Sequence, residues 1–187
     1  MQMTKKLLLL IPLFFAQTLQ AQTVFTATAD NSSVKILGTS SVHDWESVVE
    51  TFTLNLTASI AESNIPEITS LTFEADVESI KSGKRIMDNK TKDAHKAKDH
   101  PKISFSMAEV VEVTGDAITV SGELTIAGST NTVQLTAAYT LTNGSLAVSG
   151  QQVVLMSDFG IKPPTAMLGS LKTGDEVTIE FILNLTD

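Results

Sequence analysis

Apolar and polar residues alternate along most of the chain beyond residue 32, and this alternation predicts β-strands. The clearest example spans residues 51–60, where Phe52, Leu54 and Leu56 fall on one side and mostly threonine and asparagine fall on the other. A period of two places successive side chains on opposite faces of a sheet, so the segment is typical of a half-buried strand. The same pattern predicts about eight strands, at residues 34–38, 51–60, 71–77, 103–107, 118–126, 133–141, 146–150 and 177–185.

Glycine-containing turns join several of these strands. Residues 114–116 (Thr-Gly-Asp) and 143–144 (Asn-Gly) are typical of hairpin turns. Short connections predict an antiparallel meander, which either packs as a sandwich or closes into a barrel. Small residues that share the apolar phase would leave the interior of a barrel open, or would make room for large neighbours in a sandwich core: Ala58, Ala75, Gly122, Ala137 and Gly150. The pattern leaves both architectures open.

One segment interrupts the alternation. Residues 81–102, which we call the basic segment, carry eight basic and three acidic residues, whereas the rest of the chain beyond residue 21 is strongly acidic. The segment predicts a short helix over residues 90–98, capped by Asp88 or Asn89 and unable to continue through Pro101. Its narrow apolar side would consist of Met87, Thr91, Ala94 and Ala97. Such a helix, laid across one end of a barrel, would act as a lid.

The first 21 residues have the organisation of a secretory signal peptide. Lys5 and Lys6 precede an apolar run at residues 7–15, and a small-residue cleavage site ends at Ala21. We therefore predict an exported protein, periplasmic or secreted, whose mature part is a single domain of residues 22–187. The chain has no cysteine, so packing and sheet pairing must stabilise this fold. The acidic remainder argues against nucleic acid as a partner.

Six segments of the sequence resemble the YceI-like family, exported bacterial proteins with a lipocalin-like antiparallel barrel that bind polyisoprenoids or similar long-chain lipids. In order, they are ADVESI (75–80), DAH (93–95), KDHPKISF (98–105), VSGELTIAG (120–128), SDFG (157–160) and GDEV (174–177). Each is weak alone, but the ordered set is specific and covers almost all of the mature chain. The resemblance implies an all-β fold, an antiparallel lipocalin-like barrel of about eight strands, with a short helix in the loop between two of them.

The resemblance also implies that the barrel interior binds or carries a polyisoprenoid, an isoprenoid quinone or a fatty-acid-like lipid as cargo. The predicted interior contacts are Phe52, Leu54, Leu56, Phe73, Ala75, Val77, Ile103, Phe105, Met107, Leu124, Ile126, Leu135, Tyr139 and Phe181. The polar end of the lipid is expected near Lys84, Arg85, Lys92 and His95, where an anionic head group would be favoured. The alternative for each lysine is a solvated helix face. No catalytic residue, bound metal or other cofactor is predicted.

Two other functions remain open at this stage. The protein could be a non-catalytic interaction module that uses its barrel surface, with Trp45 either anchoring a partner or plugging one end of the barrel. It could instead be a metal-dependent enzyme that uses His43 with Asp44, or His95 with Asp93 or Asp99. The basic segment could also bring the barrel mouth into transient contact with an anionic membrane surface. The sequence leaves the oligomeric state open, a homodimer included.

Overall fold

Alternating segments of the sequence form consecutive antiparallel strands. The computed structural model describes residues 22–60, 66–142 and 144–187, in which twelve strands and one α-helix follow one another. The strands are β1 (Thr23–Thr28), β2 (Ser33–Ser40), β3 (Trp45–Val49), β4 (Phe52–Ile60), β5 (Pro66–Asp76), β6 (Ile80–Lys81), β7 (Lys102–Val113), β8 (Ala117–Ile126), β9 (Ser129–Thr142), β10 (Ser145–Leu155), β11 (Thr165–Ala166) and β12 (Leu171–Leu185). Helix α1 (Arg85–Ala94) lies between β6 and β7. The signal peptide predicted for residues 1–21 lies outside the described residues.

The strands combine into one curled sheet with eight courses, where a course is one row of the sheet and contains either one strand or two strands separated by a break. Three of these courses are interrupted. β1 and β2 form the first, because β1 pairs with β4 and β2 with β3. β3 and β4 form the second, and β5 and β6 form the third, because β4 pairs with β5 and β3 with β6. The remaining courses are β7, β8, β9, β10 and β12, each antiparallel to the next. Strand β12 pairs with β2, and main-chain hydrogen bonds join Thr26 to Thr186. The predicted antiparallel barrel is therefore confirmed, and the sandwich is excluded.

In each of the three interrupted courses the sequence predicts one strand, at residues 34–38, 51–60 and 71–77, and misses the other, namely β1, β3 and β6. One break is the 3-10 turn Val77–Ser79, which separates β5 from β6. Here the buried hydroxyl of Ser79 lies 2.7 Å from the carbonyl oxygen of Asp76 and 3.2 Å from that of Thr51. A side chain thus takes over main-chain groups that strand pairing leaves free. The period of two ends at this break, because the next apolar residue after Val77 is Ile80, three positions on, and the predicted strand accordingly stops at residue 77.

Two of the small residues that alternate in step with the apolar residues of their strands make room for aromatic rings. A Cβ atom on Gly122 would lie 2.5 Å from Cζ of Phe105, and one on Gly150 would lie 2.7 Å from Cζ of Phe181. Both distances are far below van der Waals contact, so glycine is required at both positions. Of the two roles that the sequence leaves open for small residues, these glycines therefore make room for large neighbours. Open space is found instead beside Ala75 and Ala137.

Helix α1 is confirmed in type and place, but it begins at Arg85 and ends at Ala94, whereas the sequence predicts residues 90–98. Asp88 lies in its first turn and does not cap it. The Asp88 carboxylate accepts hydrogen bonds from the main-chain nitrogen of Ser82 at 2.8 Å and from the Ser82 hydroxyl at 2.6 Å. These bonds lower the pKa of Asp88 and hold the loop before the helix against its first turn. Within the described ranges, no helix has the length and apolar character needed to cross a membrane.

Candidate ligand-binding cavity

The barrel encloses two adjoining cavities. The first, the apolar chamber, has a volume of about 150 Å³ and lies between the strands. Gln152 is the one polar residue among the described residues that line it. The second, the helix chamber, has a volume of about 730 Å³ and lies beneath helix α1, beside the loops after β2 and β10. Both chambers are lined by Ile36, Ile103 and Ile179, which we call the waist.

Most of the predicted interior residues line one of these chambers. Nine line the apolar chamber, namely Leu54, Leu56, Phe73, Ala75, Ile103, Phe105, Leu124, Leu135 and Phe181. Ile126 lines the helix chamber, as does Ile103. Strand alternation turns these residues to the same side of a curled sheet, which explains why a sequence pattern could find them. Their contact with a ligand remains a prediction.

Four predicted interior residues line neither chamber and belong to the packed part of the barrel: Phe52, Val77, Met107 and Tyr139. Phe52 packs against Phe73 with ring centroids 5.8 Å apart. The Tyr139 hydroxyl donates a hydrogen bond to the carbonyl oxygen of Thr114 at 3.0 Å, which fixes the ring near the β7–β8 turn. Val77 is fully buried in a 3-10 turn. Alternation identifies the inward side of a strand but not whether that side meets open space or another side chain.

The basic residues predicted for the head group separate into two sets. Lys84 and Arg85 line the helix chamber, and so does His95. Lys92 does not, because it forms a salt bridge with Glu78 that also lowers the pKa of that carboxylate. The structure therefore places Lys92 away from the cavity that the other three residues share.

His95 presents different chemistry from its basic neighbours. Its ring nitrogen Nδ1 lies 2.8 Å from the carbonyl oxygen of Thr91, which can only accept, so Nδ1 carries the proton and donates. Burial lowers the pKa of His95, so the ring is neutral at pH 7. The other nitrogen, Nε2, is then a hydrogen-bond acceptor. Lys84 and Arg85 suit an anionic head group, whereas His95 suits a hydroxyl or an N–H.

Trp45 is a wall residue of the helix chamber. Its indole nitrogen donates a hydrogen bond to the carbonyl oxygen of Thr39 at 3.0 Å, and its ring lies against Gly38, where no side chain would fit. Helix α1 covers the chamber from the other side with Met87, Thr91 and Ala94, three residues of the apolar side predicted from the sequence, whereas Ala97 lies beyond the helix and does not line the chamber. The tryptophan and the lid helix therefore both face the cavity.

The sequence prediction missed the loop residues that complete the helix chamber. Phe159, Ile161 and Pro164 line it, yet they lie in a segment without strand alternation. The available signal was the SDFG segment at residues 157–160, which contains Phe159. Phe159 is almost completely buried, although it lies outside the strands.

The histidines do not form a metal site with nearby acids. Among the residues that the structure describes, no three His, Asp or Glu side chains are close enough to hold a metal ion. His43 directs Nδ1 to the main-chain carbonyl oxygen of Asp44, at 2.8 Å, and not to its carboxylate. Among the hydrogen bonds of the described residues, none joins His43 to the Asp44 carboxylate or His95 to Asp93 or Asp99.

The family model of the YceI-like domain matches residues 23–185 of the chain. The protein belongs to the YceI-like family. The match extends over β1 to β12 and so includes both chambers and helix α1. A search of curated proteins finds no match.

Solved structures share the fold of this YceI-like protein at low sequence identity. BcnA from Burkholderia cenocepacia is 20% identical, with a TM-score of 0.71 over 84% of this chain and 98% of the other. A polyisoprenoid binding domain from Saccharophagus degradans, implicated in plant cell wall breakdown, is 13% identical, with a TM-score of 0.62 over 86% and 97%. A YCEI protein from Campylobacter jejuni is 19% identical, with a TM-score of 0.58 over 70% and 79%. At these identities the likeness concerns the fold.

Proposed function

We propose that this protein binds one long-chain apolar lipid inside its barrel and carries or stores it in the cell envelope, without converting it chemically. The observation that carries the proposal is the pair of adjoining cavities enclosed by the barrel wall. The helix chamber, at about 730 Å³, falls within the usual range of small-molecule sites, and the apolar chamber extends it inward. The envelope location rests on the predicted signal peptide.

The wall chemistry favours a hydrocarbon chain over a polar metabolite. With Gln152 as its single polar lining residue among those described, the apolar chamber offers almost no hydrogen-bonding groups to a sugar, nucleotide or amino acid. Each buried methylene contributes about 0.8 kcal/mol, so affinity for a chain grows with the length that is buried. Few specific contacts are needed. A polyisoprenoid, an isoprenoid quinone and a fatty acid all meet this requirement.

The orientation of the lipid follows from the difference between the chambers. Its tail would occupy the apolar chamber, and its polar end would stay in the helix chamber, near Lys84, Arg85 and His95. The related domain from Saccharophagus degradans is described as polyisoprenoid binding, which supports a ligand of the same class here. A carrier must exchange its ligand with a membrane, so the proposal includes a transient contact between this protein and a lipid surface.

Organic extraction of the purified protein, followed by mass spectrometry, tests the proposal directly. We expect one class of long-chain lipid in stoichiometric amount. Trp45 is the single tryptophan of the chain and lines the helix chamber, so its fluorescence reports ligand binding without interference. Titration of lipid-stripped protein with a polyprenol or a quinone should change its emission in a saturable way.

Two neighbouring alanines of β9 provide a matched pair of variants. Ala137 lines the apolar chamber, and Ala138 is exposed on the outer face of the barrel. Ala137→Phe should abolish lipid retention because the new ring fills the space for the tail, whereas Ala138→Phe should retain lipid. Circular dichroism would verify that both variants fold. Retention of the same lipid by folded Ala137→Phe would contradict binding inside the barrel.

A further inference from the structure

The three most exposed large apolar side chains in the described part of the protein lie at one end of the barrel. Leu168, Ile86 and Val42 have relative exposures of 109%, 75% and 68%. Ile86 lines the mouth of the helix chamber, Val42 lies between two of its lining residues, and Leu168 belongs to the loop that follows Thr165. We call these three residues the apolar rim. Their common position is unexpected for isolated surface residues, which are normally scattered.

Hydrogen bonds tie the three supporting segments together. In helix α1, the amine of Lys90 donates to the carbonyl oxygen of Thr165 at 2.7 Å. Thr165 pairs with Lys172 across the β11–β12 ladder. Lys172 and Ser41 then exchange two bonds, one at 2.9 Å between main-chain atoms and one at 3.1 Å to the serine hydroxyl. Val42 follows Ser41 directly, so the apolar rim is presented by connected segments around one opening.

The conformation of the loop adds a second observation. Leu168 has φ of 56°, in the left-handed region that disfavours a residue with a branched side chain, and Gly169 follows with φ of 91°. A strained leucine normally gains from packing, yet this side chain is completely exposed. The loop therefore holds an apolar side chain out from the surface in a disfavoured conformation, an arrangement that suits contact with another apolar phase.

Basic side chains surround the same opening. Lys84, Arg85 and Lys90 line the helix chamber, and Lys172 adjoins the loop of Leu168. Lys84 and Arg85 form no salt bridge with any acid of residues 22–60, 66–142 and 144–187. The barrel remote from the basic segment is acidic, so the charge distribution directs this end toward a negative surface.

We propose that the apolar rim inserts into the interface of an anionic lipid bilayer and, with its basic neighbours, docks the cavity mouth on the membrane. This inference rests on the proposed function, because docking would place the mouth where a lipid can pass between bilayer and barrel. Basic side chains beside exposed apolar ones are the composition of segments that lie in a membrane interface. A protein partner would instead require a large continuous complementary surface.

Vesicle flotation tests the proposal with two triple variants. The rim variant carries Val42→Ser, Ile86→Ser and Leu168→Ser, and its control carries Val24→Ser, Val111→Ser and Ile182→Ser. The control residues are exposed on strands β1, β7 and β12, and none of them neighbours a lining residue of the helix chamber. We expect the purified protein to bind vesicles of phosphatidylcholine mixed with phosphatidylglycerol better than vesicles of phosphatidylcholine alone, and high salt to weaken the binding. The rim variant should bind about tenfold more weakly, and the control like the original protein.

The outcomes separate this inference from the proposed function. Equal flotation of the rim variant and its control would overturn docking through the apolar rim, whatever lipid the barrel contains. Failure of the original protein to bind either kind of vesicle would also overturn it and would point to a protein partner for this surface. Ala137→Phe should lose its cargo and still bind vesicles. Normal docking by a protein that yields no extractable lipid and shows no Trp45 response would contradict the proposed function alone.

Discussion

The apolar chamber and the helix chamber adjoin at the waist but are built by different parts of the chain. The walls of the apolar chamber come from regular strands, with inward side chains at every second position. The helix chamber takes part of its wall from helix α1 and from loops, and it includes basic, aromatic and hydroxyl side chains. If the barrel binds a lipid as proposed, the chamber walled by strands would select the length of the chain, and the chamber walled by loops would recognise the head group and admit the ligand. Affinity and selectivity would then come from different parts of the protein.

The contrast between packed and hollow parts of the barrel predicts the largest effect. Leu146 in β10 is completely buried and lines neither chamber, whereas Leu135 in β9 lines the apolar chamber. Leu146→Ala should lower the free energy of unfolding by about 3 kcal/mol, since it leaves a new cavity among packed neighbours. Leu135→Ala should lower it by about 1–2 kcal/mol in lipid-free protein, because one side of Leu135 already faces open space. Urea unfolding measures both, and equal losses would mean that the apolar chamber is packed in solution.

Closing the waist should separate the two chambers. Ile103→Trp places a large ring where both chambers meet, and Ile182→Trp on the outer face of β12 is its control. A lipid long enough to reach the apolar chamber should bind on the order of a hundredfold more weakly to Ile103→Trp, because several buried methylenes are lost. A short-chain lipid with the same head group should lose much less. A loss independent of chain length would show that tails do not pass the waist.

Removing positive charge from the helix chamber should weaken binding of the lipid's head group and leave binding of its tail unchanged. The double variant Lys84→Gln with Arg85→Gln removes two bases that line the chamber, and Lys96→Gln with Lys98→Gln removes two exposed bases of the basic segment. The first variant should bind an anionic long-chain lipid about tenfold more weakly, and the second should bind it normally. Fluorescence titration of Trp45 measures both. If the first variant also loses as much affinity for an uncharged lipid of equal length, Lys84 and Arg85 act through the shape of the chamber and not through their charge.

The half-buried His95 predicts a small pH effect. Because burial lowers the pKa of His95 below its ordinary value of 6.5, the unfolded chain binds a proton more readily than the folded protein. This contribution to stability is complete above pH 6.5 and is lost as the pH falls through the folded-state pKa. The Tm of the original protein should therefore fall between about pH 7.5 and about pH 5. The pKa values of Asp88 and Glu78 are lowered, so both carboxylates stay ionised in this window.

His95→Asn keeps a donor near the position of Nδ1 and removes the titrating ring. Its Tm should vary less over the same pH range, although it should start from a somewhat lower value. Calorimetry of the two proteins at each pH measures the difference. An identical pH dependence in both would assign the effect to another group.

The strands were accessible from the sequence because their signals are local, whereas the choice of a barrel over a sandwich came from the resemblance to the YceI-like family and not from the pattern. Strict alternation in residues such as Leu54 and Leu56 identifies the inward side of a strand, and short turns such as Ala127–Gly128 force neighbouring strands to pair. The lid helix was predicted as an element but misplaced, because the bonds between Asp88 and Ser82 stabilise a start that propensity alone does not indicate. Lys92 could not be separated from Lys84 before the position of Glu78 was known.

The sequence by itself determined the class of fold, the inward sides of the strands and the concentration of basic residues in one segment, since each is a property of neighbouring positions. Only the tertiary structure decided where the interior is empty. Gly122 and Ala137 share one sequence phase, yet Phe105 occupies the space at the glycine, while the alanine borders an open chamber. Whether a position in the interior is filled depends on which side chains from distant strands meet across the barrel, and a local sequence pattern does not specify those contacts.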